Sequence, residues 1–271
     1  MQEPELVLRK NTSSEAPWSL GAGFSVIAGP CAVESAESLL EIAQLVSEEG
    51  VRIMRAGVFK PRTSPYSFRG LGEEALPMIA EVRQRFGLQV VSEVMSVDDM
   101  SLLAPVVDIF QIGSRNMFNY RLLEAVGKAG KPVLLKRGMM ASLREFLWSA
   151  EYILLSGESK IILCERGIRG FDTETRNVLD LAAVPLLKEK TFLPVIVDPS
   201  HATGRKDLVI PMARAAAAAG ADGVMVEVHP DPERALSDGP QALDFAGFRR
   251  LMGELRVLAG MMSEITMKKE N

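Results

Sequence analysis

Short apolar runs rich in Val, Ile and Leu alternate with longer stretches of helical period along almost the whole chain, the mark of βα units feeding a parallel sheet. Phe24–Ala28, Val51–Ala56, Gln89–Val94, Ile109–Ile112, Pro132–Lys136, Lys160–Cys164, Pro194–Val197 and Gly223–Glu227 are predicted strands. Most are apolar throughout rather than alternating, as expected of strands covered on both faces. Eight such units in one unbroken series, within 271 residues, predict an α/β fold of the (β/α)8 TIM barrel type, which commonly takes about 250 residues. An open doubly wound sheet is disfavoured because no G-x-G-x-x-G turn follows the first run.

Helices are predicted over Ser35–Glu49, Asp98–Ala104, Tyr120–Ala129, Ser142–Leu155, Asn177–Lys190, Leu208–Ala219 and Gln241–Leu258. Ser35, with a glutamate in the turn after it and Gly50 behind, predicts a capping box and a glycine terminus. The domain organisation expected is a short N-terminal extension over 1–23, a catalytic barrel over 24–261 and a charged C-terminal tail over 262–271. The extension is too short and too poor in apolar residues for a core of its own. It is expected at most to add a short strand at the barrel bottom.

Composition narrows the function. With 31 Lys+Arg against 35 Asp+Glu the net charge is −4, so no overall positive field draws in nucleic acid. Two cysteines, Cys31 and Cys164, exclude a disulfide scaffold and suit a reducing compartment. No run approaches the length of a membrane span, and the first twenty residues are too polar for a signal peptide. A cytoplasmic enzyme with neither nucleic-acid nor membrane partners is expected.

In such a barrel the active site lies at the C-terminal ends of the strands. Seven of the eight expected strand ends carry polar, ionisable or glycine-rich clusters, from Gly29-Pro30-Cys31 after the first to Glu227-Val228-His229 after the last. Arg55, Lys60, Arg62, Lys136, Arg166 and Arg205 would meet on one rim of an otherwise acidic protein. Guanidinium groups hold phosphate bidentately and lysine adds a point charge, so this many cations point to more than one phosphate. Cys31, His201, Glu227 and Asp238 have the mixed S, N and O chemistry of a first-row divalent metal site. Glu227 and His229 lie on the same side of the strand, so alternation does not choose between them. Cys164 reads as a small apolar residue.

Gly29-Pro30-Cys31-Ala32-Val33-Glu34-Ser35, Lys60-Pro61-Arg62-Thr63-Ser64 and Asp198-Pro199-Ser200-His201-Ala202-Thr203-Gly204 resemble the 3-deoxy-D-arabino-heptulosonate 7-phosphate (DAHP) synthases, in the shorter type I form. Lys136-Arg137-Gly138, Cys164-Glu165-Arg166-Gly167, Glu227-Val228-His229-Pro230 and Leu236-Ser237-Asp238-Gly239 follow in the same order, and the resemblance runs from about Phe24 to Leu258.

The resemblance implies condensation of phosphoenolpyruvate with erythrose 4-phosphate and water to give DAHP and phosphate, the entry to the shikimate pathway of aromatic amino acid biosynthesis. It implies a divalent metal, Mn2+ or another first-row ion, on Cys31, His201, Glu227 and Asp238, which selects Glu227 over His229. Phosphoenolpyruvate would lie on Arg55, Lys60, Lys136, Arg166 and Arg205, beside the Gly113-Ser114 and Glu165-Arg166 backbone. Lys60-Pro61-Arg62-Thr63-Ser64 would form the acceptor loop, with Arg62 on the sugar phosphate. Lys60, His201, Cys31 and Glu165 are the expected catalytic residues, with Lys60, then His201 through the metal, then Glu165 as candidates for giving the proton to the aldehyde oxygen or activating water, two roles the sequence does not assign. A homodimer or homotetramer is expected, as is a barrel-only enzyme insensitive to aromatic end products. The alternative is the sister 3-deoxy-D-manno-octulosonate 8-phosphate synthase, which uses arabinose 5-phosphate. Its loop typically reads Lys-Ala-Asn-Arg-Ser, and the Pro61-Arg62-Thr63 version suits the shorter sugar.

Overall fold

A computed structural model describes residue 20 and residues 23–62, 64–158 and 160–267. Among them the strands β1 (Ser25–Gly29), β2 (Ile53–Arg55), β3 (Gln89–Glu93), β4 (Ile109–Ile112), β5 (Val133–Lys136), β6 (Ile161–Glu165), β7 (Val195–Val197) and β8 (Gly223–Glu227) pair in chain order and close into a barrel. Every pairing is parallel, and closure comes from β1 on β8, in register from Ser25 opposite Gly223 to Gly29 opposite Glu227. The expected (β/α)8 barrel is thus the fold.

The outer layer holds α1 (Ala36–Glu48), α2 (Ala75–Phe86), α3 (Val97–Leu103), α4 (Tyr120–Gly127), α5 (Leu143–Leu155), α6 (Ala183–Lys190), α7 (Pro199–Thr203), α8 (Lys206–Ala218) and α9 (Phe245–Met267). Local chemistry sets the ends. Ser96 and Ser142 form reciprocal capping boxes with Asp99 and Glu145. Ser35 accepts from the Ser38 N–H, but the residue three past the cap is a serine, so the expected box at α1 lacks its carboxylate arm.

Three differences from the sequence reading have physical causes. Helix α2, absent from the expected set, buries only Ala75, Ile79 and Val82 on a narrow stripe. Helix α6 starts at Ala183 rather than Asn177, because Val178 forms an antiparallel bridge to Ile168 and the Asn177 N–H donates to Ala202 O. Helix α9 starts at Phe245, after a 3-10 turn at Gly239–Gln241, and runs on into the segment expected as a tail.

Side-chain alternation divides the core in two. Ile27, Ile53, Val91, Ile109, Leu134, Ile162, Cys164, Ile196 and Met225 fill the barrel interior, with Leu20 packed against them. Residues of the opposite parity, such as Ala28, Met54, Val90, Phe110 and Leu163, belong to the layer between strands and helices. On every strand but β1, the inward side chain two positions beyond the last interior residue reaches the upper rim and is polar. Among the described residues no helix is long and apolar enough to cross a membrane.

Candidate active site

The upper mouth of the barrel encloses a cavity of about 300 Å3. Counting two residues up from the interior layer reaches Arg55 from Ile53, Glu93 from Val91, Gln111 from Ile109, Lys136 from Leu134, Arg166 from Cys164, Asp198 from Ile196 and Glu227 from Met225. Parity alone therefore aims a polar set at the mouth, where Arg55, Glu93, Gln111, Lys136 and Arg166 line the cavity and Asp198 and Glu227 lie buried behind them. The β1 end is a glycine because the chains crowd there: Gly29 has φ of 148°, and a Cβ on it would strike the Arg55 carbonyl oxygen.

Cys31, His201, Glu227 and Asp238 offer ligand atoms that all lie within 4.8 Å of one another. They come from the loop after β1, from α7, from the end of β8 and from the loop beyond it. His201 Nε2 lies 3.5 Å from Cys31 Sγ and 3.1 Å from Glu227 Oε1. Asp238 has φ of 55°, the one described non-glycine residue with positive φ, a strain that aspartate tolerates better than most. The Glu34 carboxylate ties its loop back to the β1 side, accepting from the Leu236 and Ser237 N–H groups and from His229 Nε2. That contact engages His229 away from the cluster.

The cluster fits a first-row divalent ion. Glu227 Oε1 is buried with no hydrogen-bond partner, and it faces the His201 ring nitrogen at 3.1 Å and the Arg55 guanidinium at 3.3 Å. Its other oxygen accepts from Gln241 Nε2 at 2.7 Å. Burial pushes His201 down to about 4, so the ring is neutral at physiological pH. Its Nδ1–H donates to Asp198 Oδ2 at 2.8 Å, which leaves the Nε2 lone pair for the cluster. Burial and the Glu227 charge push the Cys31 thiol well above its ordinary value.

The cations gather around this cluster. Arg55 donates to Cys31 Sγ at 3.0 Å and to the Pro30 carbonyl at 3.3 Å, while its second guanidinium nitrogen, Nη1, is buried without a partner. The Lys60 ammonium reaches both Cys31 Sγ and Asp238 Oδ2. Burial opposes its charge, but the facing Cys31, Glu227 and Asp238 outweigh burial and lift it above the ordinary lysine range. Asp238 is held well below the usual carboxylate range: burial opposes this, and Lys60 and His201 outweigh it. The Lys136 ammonium bonds Asp198, Arg166 donates to the His201 carbonyl at 3.1 Å, and Arg62 stands 4.0 Å from Asp238 at the outer edge.

Arg55, Lys60, Pro61, Arg62, Ser64, Gly113, Ser114, Lys136 and Arg166 all line the cavity. Thr63 lies outside the described residues. Two expected residues are not brought there. Glu165 falls between inward-facing Cys164 and Arg166, so its side chain points outward, where it accepts from Arg137 at 2.8 Å and the Gly167 N–H at 2.6 Å. Arg205 caps α8 on the surface and pairs with Asp207 at 2.8 Å.

Six lining residues are not among the predicted site residues: Ser67, Glu93, Gln111, Arg115, Met139 and Arg176. Arg115 stood in plain view after Gly113-Ser114, and Glu93 ends the single strand whose cluster looked poor. Arg176 arrives on the long connection after β6, 3.6 Å from Asp238, with no spacing signal to betray it. Burial raises the Glu93 carboxyl above its ordinary value despite the surrounding cations.

A model of the DAHP synthetase I family matches residues 13–260. The phospho-2-dehydro-3-deoxyheptonate aldolase of Thermotoga maritima is 56% identical over 236 residues, covering 87% of this chain and 70% of that protein. A 2-dehydro-3-deoxyphosphooctonate aldolase of Syntrophobacter fumaroxidans is 35% identical over 251 residues, 86% of each chain. The crystal structure of the Thermotoga maritima DAHP synthase superposes with a TM-score of 0.86 at 55% identity, over 88% of this chain and 70% of that one. A truncated form of the synthase from the same organism gives 0.84 at 49% identity, over 92% and 93%. The polar rim, the four-residue cluster and these likenesses agree: the chain belongs to the DAHP synthetase I family.

Proposed function

We propose that the cavity condenses phosphoenolpyruvate with erythrose 4-phosphate and water to give DAHP and inorganic phosphate. One observation carries the reading: Arg55, Lys60, Lys136 and Arg166 converge on a Cys, His, Glu and Asp cluster that suits a divalent metal. Two phosphorylated anions need such a rim, and an aldehyde acceptor needs an electrophilic centre beside it.

Cys31, His201, Glu227 and Asp238 would hold the ion, Mn2+ or another first-row divalent. A metal bound there supplies a Lewis acid for the acceptor carbonyl. Arg55, Lys136 and Arg166 bind and orient phosphoenolpyruvate, the orphan Arg55 Nη1–H being a ready donor to its anionic oxygens. Arg115, and Arg176 nearer the mouth, add charge to the same wall. Arg62 and Ser64, with Pro61 setting the loop, take the sugar phosphate at the rim. C3 of phosphoenolpyruvate attacks the aldehyde carbon, water adds at C2, and the hemiketal phosphate collapses with loss of phosphate. Lys60, held protonated, sits where it can give a proton to the aldehyde oxygen as charge develops. His201, with its Nδ1 proton committed to Asp198, acts as a neutral donor ligand rather than an acid.

The barrel over 24–261 is proposed as the catalytic unit, working in the cytoplasm. We also infer a homodimer or homotetramer, because α4 and α5 expose Tyr120, Trp148, Tyr152 and Leu155, with the two tyrosine rings stacked at 4.6 Å. The test removes metal with chelator, restores Mn2+, and compares acceptors. Turnover restored by Mn2+ with erythrose 4-phosphate supports the reading; preference for arabinose 5-phosphate moves the chain to the sister reaction.

A further inference from the structure

Asp198 is fully buried at the end of β7 and caps α7. Its Oδ1 accepts from the His201 backbone N–H at 2.8 Å. Its Oδ2 accepts from His201 Nδ1–H at 2.8 Å and from the Lys136 ammonium. A single carboxylate therefore grips a member of the metal-type cluster and a cavity cation at once. Lys136 reaches the Met225 thioether at 3.7 Å on its other side, so Asp198 is its buried counter-charge. The imidazole it orients faces Cys31 and Glu227 across 3.5 Å and 3.1 Å.

We propose that Asp198 is a positioning residue that couples the two halves of the site, so that metal and phosphoenolpyruvate each tighten the binding of the other. The proposal rests on the reading of Cys31, His201, Glu227 and Asp238 as metal ligands and of Lys136 as a phosphoenolpyruvate ligand. An anion arriving at Lys136 draws on charge that Asp198 otherwise holds. The carboxylate then interacts more strongly with the Nδ1–H of His201, and the ring donates more strongly through Nε2. Coupling between binding equilibria is reciprocal, so either ligand can be used to read it.

Asparagine at 198 keeps the shape but loses the charge, and it has one acceptor oxygen where the carboxylate has two. It cannot serve Lys136, His201 Nδ1–H and the His201 N–H together. The experiment titrates Mn2+ into metal-free protein, following free Mn2+ by electron paramagnetic resonance, with and without phosphoenolpyruvate at a concentration saturating each protein. No acceptor is present, so nothing turns over. The proteins are wild type, Asp198→Asn, Lys136→Met and Cys31→Ala.

Wild type should bind Mn2+ about fivefold or more tightly with phosphoenolpyruvate present. Asp198→Asn should bind Mn2+ about 10- to 100-fold more weakly and lose the effect of phosphoenolpyruvate. Lys136→Met removes the competing cation from Asp198, so it should bind Mn2+ about as tightly as wild type does with phosphoenolpyruvate present and show no further tightening when that ligand is added. Wild-type Mn2+ affinity in Asp198→Asn, or tightening by phosphoenolpyruvate that persists in either variant, overturns the proposal. Should Asp198→Asn fail to fold by circular dichroism, Lys136→Met decides alone, since its Asp198 is intact. Cys31→Ala separates the two levels. Mn2+ binding that survives there removes the metal reading itself, whereas loss there with Asp198→Asn unaffected removes the coupling alone.

Discussion

The Gln241 side-chain amide donates to Glu227 Oε2 at 2.7 Å and so turns Oε1 toward His201. Its carbonyl oxygen accepts from Arg176 at 3.2 Å, and the amide is buried between the two. Replacing it by leucine removes the brace on Oε2, leaves the Glu227 carboxylate held through Oε1 alone, and deprives Arg176 of a contact. Gln241→Leu is expected to weaken Mn2+ binding about tenfold, of the order found when the partner of a metal ligand is removed. Mn2+ titration of the purified protein checks it, and unchanged affinity would show that Glu227 needs no such brace.

Proton linkage gives a second prediction. Burial and Glu227 raise the Cys31 thiol, so in the metal-free protein it is protonated near neutral pH, whereas a metal takes the thiolate. His201, pushed down to about 4, is already neutral and contributes no proton. Binding should thus release about one proton per ion, and affinity should rise about tenfold per pH unit between roughly pH 6.5 and 8. Cys31→Ser should bind far more weakly and lose that slope. Full turnover by Cys31→Ser in excess chelator would end the metal reading.

Acceptor binding can be separated from phosphoenolpyruvate binding at Arg62. It stands at the outer edge, 4.0 Å from Asp238, while Arg55 and Arg166 lie deep. Loss of one charge-assisted contact costs on the order of 1.5–3 kcal/mol. Arg62→Ala should therefore raise the KM for erythrose 4-phosphate roughly ten- to a hundredfold and leave that for phosphoenolpyruvate nearly unchanged, if binding alone is lost. Steady-state kinetics with each substrate varied would expose an equal effect on both, and with it a wrong assignment of the rim.

Arg205 and Arg115 make a paired comparison. The motif resemblance favoured Arg205, yet its side chain pairs with Asp207 outside the cavity, whereas Arg115 lines the cavity. Arg205→Ala should keep wild-type kinetics, and Arg115→Ala should raise the KM for phosphoenolpyruvate. The reverse outcome would mean that the loop before α8 folds over the mouth during turnover.

Much of this was legible in the chain. Apolar runs covered on both faces give the strand count, and with it the rim on which Arg55, Lys136, Arg166 and Glu227 meet. Glu165 was open to correction without coordinates, since its neighbour Arg166 was already placed in the site and adjacent residues on a strand face opposite ways. Arg176 was not legible. It depends on a 6-residue delay in the start of α6, from the expected Asn177 to Ala183, imposed by the Val178 bridge to Ile168 and the Asn177 bond to the His201 carbonyl. Helix α2 escaped because its three buried residues make too thin a stripe to stand out from a loop.

The pairing of β1 with β8 has a consequence in time as well as in space. Cys31 follows the first strand, whereas Glu227 and Asp238 come with and after the last, so the four donors meet only across the seam where the ring shuts. A chain still leaving the ribosome holds its thiol ready long before the carboxylates exist. On the proposed metal reading, ion capture would wait until the seam closes, and a protein caught with the seam open would lack both a sealed cylinder and a complete set of ligands.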